Sequence, residues 1–304
     1  MQWNLIELSH ICFSGEDRPT DVTSGSVREA SLGMTWTGDV NPGRGGRETV
    51  APLLRDVLAQ SGVEPDCYKP KVLNRRLAAS LRALRMPSEE TARTAIELNP
   101  ELRQTALSAL LIGVSAFFRD PEVFEYLRTV VIPGVLEEGD VVRVYSVGCS
   151  AGQELYSVGM ILDELGALDR SQLMGVDCRL DAIAQARSGW FVNSDLEFVA
   201  NDRAQRYFTM CGRRASICSR LRQRMEWRLG DFRGYREQAA WDLVLFRNVA
   251  IYLEPERARV IWQQVVKQLK PGGILVTGKA ERPPPMLELK QESASVFRRV
   301  KGHR

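Results

Sequence analysis

Histidine is nearly absent from this chain of 304 residues, which contains only His10 and His303. The six cysteines are scattered along the chain, and no two of them form a C-x-x-C pair. Structural zinc sites are formed by closely spaced cysteines and histidines, and small secreted domains are stabilised by disulfides between paired cysteines. The sequence therefore predicts no metal site and no disulfide framework, and we expect a protein of the reducing cytoplasm.

Long apolar runs and strong net charge are lacking as well. No apolar segment approaches the roughly 18 residues of a membrane span, and residues 1–7 do not follow the basic-then-apolar layout of a signal peptide. The net charge is only +3, which does not by itself indicate binding to nucleic acid. The hydrophobic content of 44% and the charged content of 26% are ordinary for a soluble globular protein. We expect no membrane insertion and no nucleic-acid partner.

The sequence does contain a strand, a turn and a helix between residues 141 and 160. Residues 141–147 are mostly β-branched or aromatic, which favours a buried parallel strand. Gly148 and Gly152 bracket the turn, and apolar residues recur at helical spacing from Gln153 onward. This order places the first amides of a helix at the carboxyl edge of a sheet, where α/β proteins bind ligands.

The turn Gly-Cys-Ser-Ala-Gly at 148–152 fits several kinds of site. As the nucleophile elbow of a hydrolase it would make Ser150 the nucleophile. That chemistry requires a histidine base, and the two histidines lie near the ends of the chain, so the hydrolase is disfavoured. A dinucleotide site would require glycine in place of Ser150. The remaining alternatives are the glycine loop of a class I S-adenosylmethionine methyltransferase and a plain structural turn.

An acidic residue after the next predicted strand favours a nucleoside cofactor. Residues 173–176 are a short strand-like segment, and Asp177 follows it, 25 residues after Gly152. A carboxylate at this place can accept hydrogen bonds from both hydroxyls of a ribose. Any nucleoside cofactor satisfies this pattern, so Asp177 supports the methyltransferase hypothesis without proving it.

Four regions are predicted along the chain. Residues 1–48 are rich in turn-forming residues and lack periodicity, so we expect a poorly ordered segment. Residues 49–117 show helical periodicity without strand patterns and predict an all-α domain. Residues 118–284 predict an α/β domain with a small β-subdomain at about 205–230. Residues 285–304 predict a loosely held basic tail.

A predicted helix at 71–85 contains several basic residues, among them Arg75, Arg76 and Arg82. A solvated helix face explains these residues adequately. The functional alternative is a docking surface for an acidic partner helix, because long basic side chains steer and orient such an encounter.

Arg119 follows two adjacent phenylalanines, Phe117 and Phe118, at the predicted junction between the two domains. Packing between domains explains the aromatic residues. An arginine in apolar surroundings, with Asp120 as its only near acid, indicates a specific role. Asp120 is also expected to cap the helix that Pro121 begins.

The segments 117–120, 148–154 and 247–252, together with Asp177, occur in an order that resembles the chemotaxis-receptor glutamate O-methyltransferases, the CheR family. The resemblance runs from about residue 50 to 282. It implies a Rossmann-like class I methyltransferase sheet with a small β-subdomain insertion, preceded by an all-α domain. It also implies an enzyme that esterifies glutamates of chemoreceptors, with S-adenosylmethionine as methyl donor and S-adenosylhomocysteine as product. The partner would be the helical bundle of the receptor, contacted through the basic helix and the β-subdomain.

The resemblance further implies roles for individual residues. Those expected to bind the cofactor are Gly148, Ser150, Gly152, Glu154, Asp177, Asp231, Phe232 and Asn248. Of these, Asp177 would hold the ribose, and Asp231 and Phe232 would flank the adenine. The residues expected around the point of methyl transfer are Arg119, Arg247 and Tyr252.

Methylation of a carboxylate does not need a histidine base, and the sequence has no histidine between His10 and His303. A glutamate with a pKa of about 4.3 is already ionised at neutral pH, so no general base is required. The enzyme must instead place the oxygen, the methyl group and the sulfur in line. We expect one of Arg119 and Arg247 to orient the substrate by two parallel hydrogen bonds, while Tyr252 donates a single one.

Departures from the family pattern motivate two other hypotheses. Gln153 and Leu155 stand where the family usually has an acid and a proline, and Asp231 stands where it usually has asparagine. These changes suggest a catalytically weak or inactive adaptor that keeps the cofactor-binding fold. Arginines in the insertion suggest instead a methyltransferase of the same fold that acts on RNA or a small molecule.

Overall fold

The computed structural model describes residues 48–111, 113, 115–139, 141–231 and 241–301. Two predictions fall outside these residues, namely the poorly ordered segment 1–48, apart from Glu48, and the adenine contact of Phe232. None of the helices in the described part of the chain combines the length and the apolar character that a membrane crossing needs.

The first part of the described chain is helical, as predicted. Its helices are α1 (Pro52–Gln60), α2 (Pro70–Asn74), α3 (Leu77–Leu84), α4 (Glu89–Leu98) and α5 (Leu102–Leu110). Leu53, Leu54, Val57 and Leu58 of α1 are buried, which is the spacing of one helix face. They pack with Leu107 and other apolar residues of this region into a core of its own.

A seven-stranded sheet forms the centre of the remaining chain. The strands, in chain order, are β1 (Val142–Val147), β2 (Ser171–Asp177), β3 (Trp190–Val192), β4 (Phe208–Cys211), β5 (Arg214–Ile217), β6 (Met225–Leu229), β7 (Trp241–Phe246), β8 (Leu269–Thr277), β9 (Leu289–Ser293) and β10 (Val296–Arg299). The order in the main sheet is β6-β2-β1-β7-β8-β10-β9. The first five are parallel, and β10 is antiparallel to both of its neighbours. The predicted Rossmann-like sheet is confirmed.

Helices cover both faces of this sheet. They are α6 (Pro121–Tyr126), α7 (Ile132–Glu138), α8 (Gln153–Glu164), α9 (Leu180–Ser188), α10 (Asn201–Tyr207), α11 (Ser219–Arg222) and α12 (Pro255–Gln268). Successive side chains of a strand point to opposite faces. Val144 of β1 therefore packs in the same core as Leu155 of α8, whereas Tyr145 packs in the core that contains Trp262 of α12.

A second, antiparallel sheet contains β3, β4 and β5 in the order β3-β5-β4. It matches the predicted β-subdomain in kind, but the predicted extent of about 205–230 is corrected. The small sheet begins at Trp190, and β6 belongs to the main sheet, where it pairs in parallel with β2. The reason lies in Trp227, whose ring is buried and packs against Tyr156 of α8 with 5.3 Å between centroids.

The prediction of a loosely held tail at 285–304 is wrong for most of its described part. Strands β9 and β10 form an antiparallel hairpin, and β10 pairs with the exposed edge of β8. Val296 and Phe297 are buried, and Arg298 forms an ion pair with Glu292. Residues with almost any side chain can form main-chain hydrogen bonds to a sheet edge, so the basic composition did not indicate the hairpin.

Candidate functional site

A cavity lies at the carboxyl edge of the main sheet, where the strand order reverses. From β1 the chain adds β2 and β6 on one side and β7 and β8 on the other, and α/β sheets bind ligands in the crevice at such a switch point. The walls come from the loops after β1, β2, β6 and β7 and from the helical region. The predicted site residues that line the cavity are Arg119, Gly148, Ser150, Glu154, Asp177, Asp231, Arg247, Asn248 and Tyr252.

The buried carboxylate of Asp177 holds the loop after β1 in place. The N–H group of Ser150 donates to Oδ2 at 2.8 Å, and Arg179 donates to Oδ1 from its N–H group at 3.0 Å and from Nε at 3.1 Å. The hydroxyl of Ser150 donates to the carbonyl of Gly113 at 2.8 Å and accepts from Nη2 of Arg179 at 3.1 Å. Ser150 thus links the loop to Asp177 and Arg179. Sequence reasoning missed Arg179, which also lines the cavity.

Gly152 has a packing role that the sequence analysis did not anticipate. It precedes α8 with a φ of 87°, in the left-handed region that favours glycine. A Cβ atom at this position would lie 2.3 Å from the ring of Trp227. Gly148 lines the cavity, whereas Gly152 lies outside the cavity lining. The packing against Trp227 gives Gly152 a structural role, and its expected cofactor contact stays a prediction.

Arg247 is fully buried and is bound by acceptors of the protein itself. Its Nη1 atom donates to Glu154, and its Nη2 atom donates to Oδ2 of Asp120 at 2.5 Å and to the carbonyl of Arg119 at 3.2 Å. The guanidinium side chain exposes 0% of its surface. A guanidinium engaged in this way is poorly placed to hold a substrate carboxylate. Arg247 thus holds Glu154 and Asp120, and the expected role of Arg119 in orienting the substrate stays a prediction.

Glu154 lies in the first turn of α8, and its carboxylate lines the cavity. Burial raises the pKa of this carboxyl group above its ordinary value, although the guanidinium groups of Arg247 and Arg119 favour the charged form. A buried carboxylate beside a cavity is suited to a ligand that presents a cation, because a second positive charge offsets the cost of burying the negative one.

Arg119 is placed by a turn with unusual backbone angles. Phe118 has a φ of 52° and Asp120 a φ of 64°, which is uncommon for residues other than glycine. Such angles cost roughly 1–3 kcal/mol each and persist only when the surroundings enforce them. Here Phe117 is fully buried and packs edge-on against Phe191 with 4.7 Å between centroids. The predicted aromatic junction thus anchors the turn that brings Arg119 to the cavity.

Asp120 is a site residue to which the sequence analysis gave the wrong role. The sequence predicts a helix cap, but Asp120 makes no capping hydrogen bond at α6. Its carboxylate instead binds Arg247 and lies 3.0 Å from Nζ of Lys279. The left-handed backbone of Asp120 is not the extended conformation of an N-cap residue, which accounts for the different partner.

The loop after β7 supplies Asn248 and Tyr252. The Oδ1 atom of Asn248 is buried and has no hydrogen-bond partner among the described residues, so a ligand can satisfy it. The helical region fastens the other end of the loop, because the N–H group of Lys69 donates to the carbonyl of Tyr252 at 3.0 Å. Tyr68 beside it forms a β-bridge with Leu253 and also lines the cavity. Sequence reasoning missed Tyr68, since no local pattern indicated this contact.

The predicted basic docking surface is smaller than expected. Arg75 and Arg82 are exposed. Arg76 is half-buried, and its Nε and Nη2 atoms donate to the carbonyl of Ala109 at 3.2 and 2.9 Å. Because Arg76 joins two helices and lines the cavity, it is removed from the predicted surface.

Comparison with known proteins identifies the family. The family model described as CheR methyltransferase, SAM binding domain, matches residues 113–297, which is more than half of the chain. The chain belongs to the CheR methyltransferase family. S-adenosylmethionine is accordingly its cofactor, as the sequence analysis predicts.

Relatives of this CheR-family chain are chemotaxis methyltransferases. Chemotaxis protein methyltransferase 1 of Pseudomonas aeruginosa is 32% identical over 191 residues, which is 59% of this chain and 70% of the relative. The chemotaxis protein methyltransferase of Listeria monocytogenes is 24% identical over 231 residues, which is 76% of this chain and 88% of the relative. These relatives support a CheR-type methyltransferase that uses S-adenosylmethionine.

Solved structures with a similar fold include the N-methyltransferase NodS from Bradyrhizobium japonicum in complex with S-adenosyl-L-homocysteine. The similarity covers 66% of this chain and 71% of that chain, at 19% identity and a TM-score of 0.31. A TM-score this low supports no argument about function.

The cavity residues of this CheR-family protein fit the cofactor in their chemistry. Glu154 presents a carboxylate, and Asn248 presents a buried carbonyl oxygen with no partner among the described residues. Asp177 also lines the cavity, but its carboxylate already accepts hydrogen bonds from Ser150 and Arg179. S-adenosylmethionine presents donors, namely ribose hydroxyls and an ammonium group, which match acceptors of this kind.

Proposed function

We propose that the protein transfers methyl groups from S-adenosylmethionine to glutamate side chains of chemoreceptors and so forms methyl esters. The main support is that the cavity combines the cation of Arg119 and the hydroxyl of Tyr252 with the cofactor loops, while both histidines of the chain lie near its ends. A carboxylate is ionised at neutral pH and needs no base. A site that orients an anion but removes no proton suits a carboxylate better than a hydroxyl group.

The cofactor would be held by acceptors that lie at or after the carboxyl ends of β1, β2, β6 and β7. In this proposal Glu154 binds the ammonium group of the methionine part, Asp177 binds the ribose, and Asp231 lies near the adenine. Asn248 would accept a further hydrogen bond at Oδ1. When bound, the cofactor supplies an activated methyl group on a positively charged sulfur, which a carboxylate oxygen can accept by in-line displacement.

Arg119 and Tyr252 would place the substrate. Two parallel hydrogen bonds from a guanidinium fix both the position and the orientation of a carboxylate. They also draw charge from the attacking oxygen, so a single arginine with one hydrogen bond from Tyr252 is a better arrangement than two arginines. Arg247 would instead bind Glu154 and Asp120, and so connect the start of α8 to the turn that contains Arg119.

Two arginines of the insertion are paired with acids of the protein itself, which makes an RNA substrate less favourable. Arg220 pairs with Asp163 at 2.8 Å and with Asp169 at 3.0 Å, and Arg224 pairs with Asp169 at 3.3 Å. Charges that are paired within the protein contribute little to a phosphate-binding surface. We therefore keep the protein substrate.

The receptor partner is proposed as a cytoplasmic helical bundle. Arg75 and Arg82 are exposed and could steer an acidic helix face, and the three-stranded sheet is the second proposed contact. The five cysteines among the described residues are all free thiols, which is consistent with a reducing cytoplasm.

The proposal is tested by methyl transfer to a purified chemoreceptor fragment from the same genome. With S-adenosylmethionine labelled in its methyl group, we expect label on the fragment that mild base releases as methanol. Asp177→Asn is the matched control and should lower the incorporation of label by weakening the binding of S-adenosylmethionine. Base-stable label would contradict a carboxyl ester. Retained binding of S-adenosylhomocysteine without any incorporation would favour the adaptor.

A further inference from the structure

Glu281, which follows β8, is a buried carboxylate surrounded by backbone N–H groups. Its residue exposure is 3%. Oε2 accepts from the N–H groups of Asn248 at 2.7 Å and Gly278 at 2.8 Å. Oε1 accepts from the N–H groups of Ala250 at 2.6 Å and Ile251 at 3.3 Å. Because an ionised carboxylate offers about four acceptor sites, these four donors account for all of them.

Three of the four donors belong to the loop that lines the cavity with Asn248 and Tyr252. Asn248 has a φ of 59°, in the left-handed region that few residues other than glycine adopt. The hydrogen bond from its N–H group to the carboxylate of Glu281 stabilises this conformation, and hydrogen bonds to charged groups are stronger than those between neutral groups. Without Glu281 the loop would lose the acceptor for several N–H groups at once.

Gly278 allows this close approach between the end of β8 and the loop after β7. A Cβ atom at position 278 would lie 2.8 Å from Nδ2 of Asn248, 2.8 Å from Oε2 of Glu281 and 3.0 Å from the backbone nitrogen of Asn248. The turn also closes on itself, since the N–H group of Glu281 donates to the carbonyl of Gly278 at 3.0 Å. The two segments are therefore fitted to each other at backbone distance.

We infer that Glu281 is a positioning residue for methyl transfer, because its carboxylate sets the conformation of loop 248–252 and so the places of Asn248 and Tyr252. Glu281 lies outside the cavity lining and acts through the loop. The inference rests on the proposed function for the reaction itself, whereas the hydrogen bonds to the loop can be tested without any substrate.

The decisive variant is Glu281→Gln, which keeps the side-chain volume. The amide of glutamine places an NH2 group against two backbone N–H donors, so one of the two acceptor oxygens of Glu281 is lost. We expect kcat to fall about 10²-fold, the loss that a displacement of about 1 Å in a reacting group can cause. The affinity for S-adenosylhomocysteine should change much less, because most of its proposed ligands lie on the loops after β1 and β2. Glu288→Gln is the matched control, since Glu288 is exposed and lies on the same segment.

Amide hydrogen exchange supplies the readout that does not depend on activity. In the wild-type protein the amides of residues 248, 250 and 251 should be protected, and in Glu281→Gln they should exchange faster while the strands β1 and β7 do not. Gly278→Ala keeps the carboxylate of Glu281 and should produce the same local change, because its Cβ atom would push Asn248 and Oε2 of Glu281 apart. If the wild-type protein methylates no receptor, the proposed function fails. The exchange pattern still shows whether Glu281 fixes the conformation of loop 248–252.

Three results would overturn the inference. Rapid exchange at residues 248, 250 and 251 in the wild-type protein would do so without any variant. Unchanged kcat in a folded Glu281→Gln protein would do so through the reaction. Faster exchange spread evenly over the whole sheet would show that Glu281 supports folding in general and not the loop.

Discussion

Replacing Arg247 by methionine should destabilise the fold strongly. The guanidinium is fully buried between Glu154 and Asp120, and Arg247→Met leaves both carboxylates without it. Removing one partner of a buried ion pair typically costs about 3–5 kcal/mol, because the remaining charge stays buried. Each kcal/mol lowers Tm by about 2–4 °C in proteins of about this size, so we expect a fall of roughly 6–20 °C.

Thermal and urea unfolding followed by circular dichroism measure this loss. Arg93→Met is the matched control, because Arg93 and Asp56 form an ion pair whose side chains are 45% and 40% exposed. Exposed pairs are worth about 1 kcal/mol or less. Adding Glu154→Gln and Asp120→Asn to Arg247→Met should restore much of the stability, since the buried charges are then removed together.

The opposite outcome would contradict the assignment of Arg247. If Arg247→Met unfolds at the wild-type temperature but has lost methyl transfer, the guanidinium contacts the substrate and does not hold the two acids. The role of Arg247 in binding Glu154 and Asp120 would then be wrong.

Three further predictions address other residues. Arg119→Ala should remove most of the turnover but leave the calorimetric Kd for S-adenosylhomocysteine nearly unchanged, and equal loss of both would contradict its role in substrate placement. Burial raises the pKa of Glu154 above the ordinary value of a glutamate. Cofactor affinity should therefore rise with pH as this carboxyl group ionises, and Glu154→Gln should remove the slope. Gly152→Ala should lower the free energy of unfolding by about 1–3 kcal/mol, because its Cβ atom meets Trp227; Trp227→Leu should reduce that penalty in a double-mutant cycle, and additive effects would contradict the contact.

The parts of the site that the sequence predicts are those that follow from strand ends. In a parallel sheet the carboxyl ends of β1 and β2 meet at one edge, so Ser150 and Asp177 could be brought together from their positions in the chain. The glycine turn and the acid after the second strand are local patterns. The family resemblance added Asn248, Arg247 and Tyr252, so the fold class and nine residues of the cavity lining could be anticipated.

Other features depend on contacts between distant residues. Arg247 and Asp120 are 127 positions apart, and nothing in the sequence near either one indicates their ion pair. Glu281 likewise binds the amides of a loop about 30 positions earlier, and a backbone donor leaves no mark in the sequence.

The hairpin at the end of the described chain also depends on contacts between distant residues. Strand β10 pairs with β8 in the main sheet, which the basic composition of this segment does not reveal.

Peptide mapping by tandem mass spectrometry tests the central claim most directly. A chemoreceptor cytoplasmic fragment is incubated with the protein and S-adenosylmethionine, and the position of each added methyl group is located. The account predicts methyl groups on glutamate side chains that disappear after treatment with base and are absent when S-adenosylhomocysteine replaces the methyl donor. Methyl groups on lysine, arginine or hydroxyl side chains, or on no residue of the receptor fragment, would contradict it.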